Sequence, residues 1–145
     1  FNKNLKKYKI KGKSIFDVWK MTLDEAIDFF EDIDKSITKV CITASEIMLG
    51  HLQIGQATAT LSGGENIRIK IMKASKSTAK VIGVDEPFKG LSNIEIDAVA
   101  NYLNRIREKG KTLIVIDHST GVEDYFSQWI QIENIDNRLI GKQFK

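Results

Sequence analysis

Apolar residues recur every three or four positions in four stretches of the chain, and this spacing predicts four amphipathic helices. The first helix follows Thr22 and Glu25, which form a capping box. The second begins at about Ser36, and Gly50 is its expected C-cap. We interpret both as packing elements, and His51 beyond them as polar surface. Their apolar positions are Leu23, Ala26, Ile27, Phe30 and Ile33 in the first helix, and Ile37, Val40, Cys41, Ala44, Ile47 and Met48 in the second.

The third and fourth predicted helices lie in the second half of the chain. The third begins after Ser62, and the fourth begins with a capping box at Ser92 and stops at Gly110. Two short apolar runs, residues 81–84 and 112–116, flank the fourth helix and are typical of buried parallel strands. Strand, helix and strand then form a βαβ unit. The apolar helix positions are Ile67, Ile71 and Ala74 in the third, and Ile96, Val99, Leu103 and Ile106 in the fourth.

Two further segments, residues 129–132 and 138–140, bracket a polar turn and predict a closing hairpin. The 145 residues are enough for one domain with a real core. A hydrophobic content of 42% with 28% charged residues is typical of a soluble globular protein. The sequence therefore predicts a single α/β domain.

Composition also excludes several classes of protein. No apolar run is long enough to span a membrane, and no signal-peptide pattern is present. The single cysteine, Cys41, excludes an internal disulfide framework and a cysteine-rich zinc site in this segment. Its position on an apolar helical face predicts a buried, inert thiol. We expect a reducing, cytoplasmic location.

Lysines are concentrated at the start of the chain, where Tyr8 and Ile10 alternate with them and predict a short strand with one solvated face. The net charge of +3 is too small to indicate nucleic-acid binding by itself. The lysines either contact a phosphate backbone or keep a solvated strand edge from aggregating. Residues 12–14 do not complete a P-loop, because position 7 is lysine where the motif needs glycine. The lysines are Lys3, Lys6, Lys7, Lys9, Lys11 and Lys13.

A serine and two glycines precede the third helix. Ser62, Gly63 and Gly64 leave backbone N–H groups free where the helix dipole adds positive charge, and no bulky side chain blocks an oxyanion. This segment is therefore a candidate phosphate-binding surface. Taken alone, the segment is better interpreted as an ordinary serine N-cap with a flexible lead-in. The same helix carries Arg68, Lys70, Lys73 and Lys76, for which we favour a solvated face over a DNA or partner surface.

Three side chains follow the ends of the two predicted parallel strands. Asp85 and Glu86 follow the first strand, and His118 follows the second. Ligands of parallel sheets bind beyond the carboxyl ends of the strands, so these residues should share one site. Asp85 would help to hold Mg²⁺ through water, Glu86 would orient or deprotonate an attacking water, and His118 would donate to a γ-phosphate. Each alone is equally a strand end or a satisfied loop residue.

These motifs carry a family resemblance through their order: Leu61-Ser62-Gly63-Gly64-Glu65, then a strand ending in Asp85-Glu86-Pro87, then a strand ending in Asp117-His118. The order resembles the second half of an ATP-binding cassette (ABC) ATPase. It implies a partial ABC-type P-loop NTPase fold, with a helical signature subdomain, the C-terminal βαβ part of the sheet and a closing hairpin. It also implies nucleotide contacts from residues 61–65 and Arg68, an Mg²⁺ contact from Asp85, and catalytic roles for Glu86 and His118.

The chain contains no Gly-x-x-x-x-Gly-Lys-Ser/Thr sequence, which in such ATPases cradles the β- and γ-phosphates. In ABC ATPases the signature of one cassette caps ATP held on the P-loop of another. The resemblance therefore implies that residues 62–64 serve a site in trans, and that Asp85, Glu86 and His118 serve a site whose P-loop lies upstream of Phe1. We expect a part of a longer ATPase that uses ATP and Mg²⁺ and is inactive alone.

Further segments carry a second, more specific resemblance: residues 11–18, 21–26 with Phe29 and Phe30, 49–50 and 55–65. They are similar to the C-terminal cassette of UvrA, the damage-sensing ATPase subunit of the bacterial UvrABC excinuclease, over about residues 9–132. This resemblance implies a lead-in strand and helical subdomain in residues 1–60. Residues 61–145 would then hold the signature helix, Walker B strand, D-loop, H-loop strand and C-terminal hairpin. It also implies nucleotide excision repair, DNA binding, a homodimer and a UvrB-like partner.

The sequence departs from the UvrA pattern after each motif. The signature continues as Asn66-Ile67-Arg68 where Ala-Gln-Arg is usual, and Pro87 is followed by Phe88-Lys89-Gly90-Leu91-Ser92 where Thr-Thr-Gly-Leu-His is usual. The last strand ends in Asp117-His118-Ser119 where Glu-His-Asn is usual.

The alternative function is a non-catalytic partner module that caps a nucleotide or binds protein or DNA in trans. A transporter nucleotide-binding domain is disfavoured by the UvrA-like lead-in.

The segment supplies few strands for a sheet of this kind. We therefore expect an uncovered sheet edge and an exposed apolar face. Marginal stability or self-association of the isolated chain would follow.

Overall fold

A computed structural model describes residues 3–135 and 138–144 of the chain. Five α-helices and three two-stranded sheets lie within these ranges. The helices are α1 Ile15–Lys20, α2 Leu23–Phe30, α3 Lys35–Glu46, α4 Gly63–Ser75 and α5 Asn93–Glu108. The strands are β1 Lys9–Ile10, β2 Lys13–Ser14, β3 Val81–Asp85, β4 Thr112–Ile116, β5 Trp129–Ile135 and β6 Arg138–Phe144. Short 3₁₀ turns occupy Lys3–Lys7, Thr58–Thr60 and Glu123–Tyr125.

The lysine-rich start forms a small antiparallel hairpin, β1–β2, followed by the helix α1. The expected strand is present, but the expectation of a single solvated face is wrong. Tyr8 is 75% exposed and Ile10 is 60% exposed, because no other element covers the hairpin there. Helix α1 was not predicted. The signal for it was a capping box in which the Ser14 N–H and hydroxyl both donate to Asp17 Oδ2, at 2.8 and 2.7 Å.

Helices α2 and α3 form the predicted pair. The Thr22 N–H donates to Glu25 Oε2 at 2.9 Å, and Thr22 Oγ1 accepts the Glu25 N–H at 3.1 Å, which confirms the capping box. Helix α2 ends at Phe30, so Ile33 lies outside it. Helix α3 buries Cys41, which is 3% exposed, and burial raises the pKa of this thiol.

The prediction that Gly50 caps α3 is wrong. The helix ends at Glu46, and Met48 takes the left-handed conformation with φ of 61°. Gly50 instead lies against α2, where its carbonyl accepts the Asp24 N–H at 3.0 Å and an added Cβ would collide with the Asp24 carboxylate. Glycine at this position leaves room for the Asp24 carboxylate, whereas its backbone conformation makes no demand for glycine.

The main core lies between the parallel strands β3 and β4 and the helices α4 and α5. The strands pair in register from Val81↔Thr112 to Asp85↔Ile116, which confirms the predicted βαβ unit. Arg105 in α5 makes a bidentate ion pair with Glu46 in α3, with both N–O distances at 3.0 Å. The predicted division at residue 60 stays a prediction, since the core draws on both sides of it. The buried residues of this main core include Ala44, Ile47, Leu49, Leu52, Ile71, Ile82, Val84, Phe88, Val99, Leu103 and Ile106.

Only one face of the β3–β4 sheet is covered within the described ranges. Ile82 and Val84 are buried, whereas Val81, Ile114 and Ile116 are 56%, 56% and 58% exposed. The interpretation of these strands as buried on both sides is therefore wrong, while the expected exposed apolar face is present. Marginal stability and self-association of the chain stay predictions.

The last two strands form the predicted hairpin and extend beyond its predicted bounds. Trp129 and Phe144 stack across the strands with ring centroids 4.2 Å apart. Ile130 and Ile132 lie on one face and are 62% and 69% exposed.

In the part of the chain that the structure describes, no helix combines the length and apolarity needed to cross a bilayer.

Candidate functional site

The start of α4 is held by a reciprocal cap. Ser62 Oγ accepts the Glu65 N–H at 3.2 Å, and Glu65 Oε2 accepts the Ser62 N–H at 2.7 Å. The serine N-cap is thus present, and the N–H groups of Gly63 and Gly64 remain without an acceptor among the described residues. A Cβ added at Gly63 would meet no atom within 4 Å. Leu61, before the cap, packs against the core. The helix therefore begins with two unpaired donors, and the space in front of Gly63 is open.

His51 belongs to this cap, although the sequence predicted only polar surface. Its Nε2 lies 2.8 Å from Glu65 Oε1, and its side chain is 61% exposed. The Ser62 N–H and then the His51 ring hold the pKa of Glu65 below its usual range. The contact joins residues 14 positions apart, so no local pattern could predict it.

Arg68 lies inside the protein, one turn into α4. It is 4% exposed, and its Nε and Nη1 atoms are buried without a hydrogen-bond partner. A Cβ on Gly64 would lie 3.4 Å from Nη1, so the guanidinium sits directly beneath the helix start. Burial lowers the pKa of Arg68, against the opposing charges of Glu95 and Glu65. The solvated-face interpretation is therefore wrong for Arg68, and its predicted nucleotide contact stays a prediction. Lys70, Lys73 and Lys76 are exposed as expected.

The parallel pairing brings Asp85, Glu86 and His118 to the same edge of the β3–β4 sheet. The Glu86 N–H donates to the carbonyl of Ile116 at 2.7 Å, which ties the two strand ends together. Glu86 has a φ of 49°, a strained value for a residue other than glycine. Asp85 and His118 are exposed, and neither side chain has a hydrogen-bond partner within the described ranges.

Lys89 neutralises part of this acidic edge. Its Nζ lies 2.6 Å from Glu86 Oε2. The Glu86 carboxylate, with Asp85 and Asp117 further away, raises the pKa of Lys89. The side chains of Lys89 and Glu86 are 69% and 32% exposed, so water screens the pair. Lys89 departs from the resembled family in the sequence, but its contact with Glu86 was not predicted.

Asp117 joins the two loops that carry the site. Its Oδ2 accepts the Phe88 N–H at 3.0 Å, and its Oδ1 accepts the Ser119 N–H at 2.8 Å. Burial raises the pKa of Asp117, but hydrogen bonds from Ser119, Phe88 and His118 outweigh burial and leave the pKa below its usual range. Asp117 therefore positions both loops, a role that was not predicted from the sequence.

We expect Asp117→Asn to lower the free energy of unfolding at neutral pH by about 1–3 kcal/mol, because its amide group cannot accept every bond that the carboxylate accepts. The folded-state pKa of Asp117 is lowered, so its stabilisation is present above the usual aspartate pKa of about 3.9 and is lost as the pH falls through the folded-state value. Urea unfolding at several pH values measures both effects. The difference between variant and wild type should shrink in acid.

Asp28→Asn is the matched control, because Asp28 is exposed on α2 and has no hydrogen-bond partner among the described residues. Equal losses in the two variants would remove Asp117 from its positioning role.

The described residues contain no group of three histidine, cysteine, aspartate or glutamate side chains that could hold a metal ion by itself. Asp85 could therefore contribute only one part of an Mg²⁺ site, with the other ligands supplied by water and phosphate oxygens. This arrangement fits the predicted contact through water.

Three comparisons place the chain among known proteins. No protein-family model matches it. It is 39% identical over 125 residues to UvrABC system protein A of Rickettsia bellii and 36% identical over 125 residues to that of Thermus thermophilus. Each match covers 84% of this chain and 13% of the relative, so the chain spans about 13% of the length of these curated relatives.

Solved structures agree with these sequences. UvrA2 from Deinococcus radiodurans superposes with a TM-score of 0.85 at 30% identity, over 99% of this chain and 18% of that chain. An ATP-binding cassette of an ABC transporter superposes with a TM-score of 0.54 at 18% identity, over 87% of this chain and 56% of that chain, which indicates a shared fold only. The partial ABC-type α/β fold is confirmed.

Proposed function

We propose a function from the premise that this chain belongs to the UvrA family, of which it forms one section. In the complete protein, residues 61–65 cap ATP held by another cassette, and Asp85, Glu86 and His118 act in hydrolysis at the cassette that contains this chain. Hydrolysis is coupled to recognition of DNA damage in nucleotide excision repair. The observation that carries the proposal is the open start of α4, where the N–H groups of Gly63 and Gly64 have no acceptor and no neighbour in front of Gly63.

The start of α4 fits a phosphate group. Two unpaired N–H donors, the positive end of the helix dipole and the missing Cβ of Gly63 together favour an oxyanion. The reciprocal cap between Ser62 and Glu65 fixes the direction of the helix start. ATP bound with Mg²⁺ supplies the phosphoryl group that is transferred.

The edge of the β3–β4 sheet would supply the side chains that bind Mg²⁺, accept a proton from water and donate a hydrogen bond to phosphate. Asp85, exposed at the end of β3, would hold an Mg²⁺ ion through a water ligand. Glu86 would accept a proton from the attacking water, once its carboxylate is released from Lys89. His118 would donate a hydrogen bond to a γ-phosphate oxygen.

The partners of the complete protein are proposals of the same kind. We infer DNA as its macromolecular ligand, a homodimer as its assembly, a UvrB-like protein as its partner and the cytoplasm as its location.

Ser62→Arg tests the capping role. In the complete protein we expect ATP hydrolysis to fall by about 100-fold or more, because the arginine side chain fills the approach to Gly63 and removes the hydroxyl cap. The rate of phosphate release measures the loss. Ser127→Arg is the matched control, since Ser127 is exposed and has no hydrogen-bond partner within the described ranges. Hydrolysis that survives Ser62→Arg would exclude a capping role in trans.

One observation favours the second candidate, a non-catalytic partner module. Glu86, the residue proposed as base, is held by Lys89 at 2.6 Å, and lysine replaces the threonine usual in the resembled family. A module of this kind would cap a nucleotide through residues 61–65 without turning it over. The Glu86 variant discussed below separates the two candidates.

A further inference from the structure

The first part of the chain is strongly basic and has no role in the proposed ATPase. Residues 3–20 contain seven lysines and one acidic residue, Asp17, which gives a formal charge of +6. The whole chain carries +3, so the remaining residues carry −3. Such a charge asymmetry within one chain indicates a surface for a polyanion.

Three of these lysines surround one concavity. Lys6, Lys9 and Lys20 line a cavity of about 320 Å³ together with Ser14, Phe16 and Asp17. The lysines come from three elements: the 3₁₀ turn Lys3–Lys7, β1 and α1. Folding therefore gathers positive charge that the sequence spreads over 15 positions.

The one acidic side chain that lines this concavity, Asp17, is already hydrogen-bonded. Asp17 accepts from the Ser14 hydroxyl and N–H as the cap of α1, and these bonds, with smaller help from Lys13 and Lys9, hold its pKa below the usual range. Lys6, Lys9 and Lys20 form no ion pair within the described ranges. Lys6 lies 5.6 Å from the centroid of the Phe16 ring, which leaves its ammonium group available to an anion.

An exposed aromatic ring lies between two of the lysines in the sequence. Tyr8 is 75% exposed, stands between Lys7 and Lys9 in the chain, and its side chain has no partner among the described residues. A ring flanked by cations is the arrangement that binds single-stranded nucleic acid, because the ring stacks on a base while the cations contact phosphates.

A second concavity is less suited to a polyanion. Lys13 and Lys20 line it, but so do the carboxylates of Glu25 and Asp28. Lys11, nearby in the chain, is paired with Asp32 at 3.5 Å. The excess of positive charge is therefore larger in the concavity lined by Lys6, Lys9 and Lys20.

We propose that Lys6, Lys7, Tyr8, Lys9 and Lys20 form a basic platform that binds a single nucleic-acid strand. The lysines contact consecutive phosphates, and Tyr8 stacks on one base. A membrane surface would use the lysines but would not need an exposed aromatic ring that can stack on a base. This inference goes beyond the ATPase and locates one DNA contact of the proposed function.

The test uses the full chain and a fluorescein-labelled oligo(dT) of about 15 nucleotides, with fluorescence anisotropy at about 50 and about 200 mM salt. We expect the combined variant Lys6→Ala/Lys9→Ala/Lys20→Ala to bind oligo(dT) at least about ten-fold more weakly. The magnitude of its negative slope of log K against log salt should decrease by about 2. Tyr8→Ala should weaken binding to oligo(dT) about five-fold and leave binding to a duplex of equal length unchanged.

Lys70→Ala/Lys73→Ala/Lys76→Ala is the matched control, since it removes the same charge from exposed positions of α4. Lys6→Arg/Lys9→Arg/Lys20→Arg should keep the affinity and shows that the platform still folds. Equal losses in the platform and control variants, or no binding of oligo(dT) by the wild-type chain, would overturn the proposal. So would binding to vesicles rich in phosphatidylserine without binding to oligo(dT). ATP hydrolysis in the Ser62 and Glu86 variants is a separate readout, so failure here leaves the ATPase proposal intact.

Discussion

Glu86→Gln abolishes ATP turnover in the complete protein and leaves ATP bound, if Glu86 is the general base. The expected fall in turnover is about 100-fold to 10,000-fold, because the amide group of glutamine cannot accept a proton from water. The substitution is nearly isosteric, so the Glu86 N–H can still donate to the carbonyl of Ile116. Phosphate release measures turnover, and retention of labelled ATP on the purified protein measures trapping.

Glu108→Gln is the control, because Glu108 is exposed at the end of α5 and contacts no described residue by a hydrogen bond. A protein whose turnover is unchanged by Glu86→Gln does not use this carboxylate as the base. A protein that has no turnover to lose, yet still binds ATP in a way that depends on Ser62, is the non-catalytic module.

Phe88→Ala should lower the free energy of unfolding by about 3–5 kcal/mol, the largest effect that we expect on stability. Phe88 is 1% exposed and packs against Phe126, with ring centroids 6.2 Å apart and an interplanar angle of 60°. Removing the ring leaves a cavity in the main core, directly after the strand end that carries Asp85 and Glu86. Urea unfolding followed by tryptophan fluorescence measures the change.

Two further variants show whether ring packing is the cause. Phe88→Leu keeps most of the apolar volume and should cost less than about 1.5 kcal/mol. Ile94→Ala, at a position that is 73% exposed, should change the free energy of unfolding by less than about 0.5 kcal/mol. A loss in Phe88→Ala no larger than in Ile94→Ala would mean that the ring does not stabilise the core.

Elements set by local patterns could be predicted from the sequence. Helices α2, α4 and α5 each begin with a serine or threonine cap followed three residues later by glutamate, and their apolar stripes are regular. The strands β3 and β4 were equally clear, and their order placed Asp85, Glu86 and His118 at one edge. Helix α1 was missed because aromatic and β-branched residues, such as Phe16 and Trp19, also favour strands.

Contacts between distant residues could not be predicted. Asp117 and Phe88 are 29 positions apart, and His51 and Glu65 are 14 apart, so their hydrogen bonds depend on how the elements pack. The burial or exposure of individual residues could not be predicted from the local sequence pattern either. Arg68 resembles any charged residue of a surface helix in the sequence, and the exposed side of β3 and β4 resembles a buried strand.

The buried guanidinium of Arg68 makes the two anion-attracting regions of the chain respond differently to ionic strength. Mobile ions reach the exposed lysines of the basic platform and screen them over about 10 Å at 0.1 M salt. They do not reach a group that is 4% exposed beneath Gly64, although Glu65 and Glu95 offset part of its charge. We therefore expect anion binding at the start of α4 to fall less steeply with salt concentration than anion binding at the basic platform.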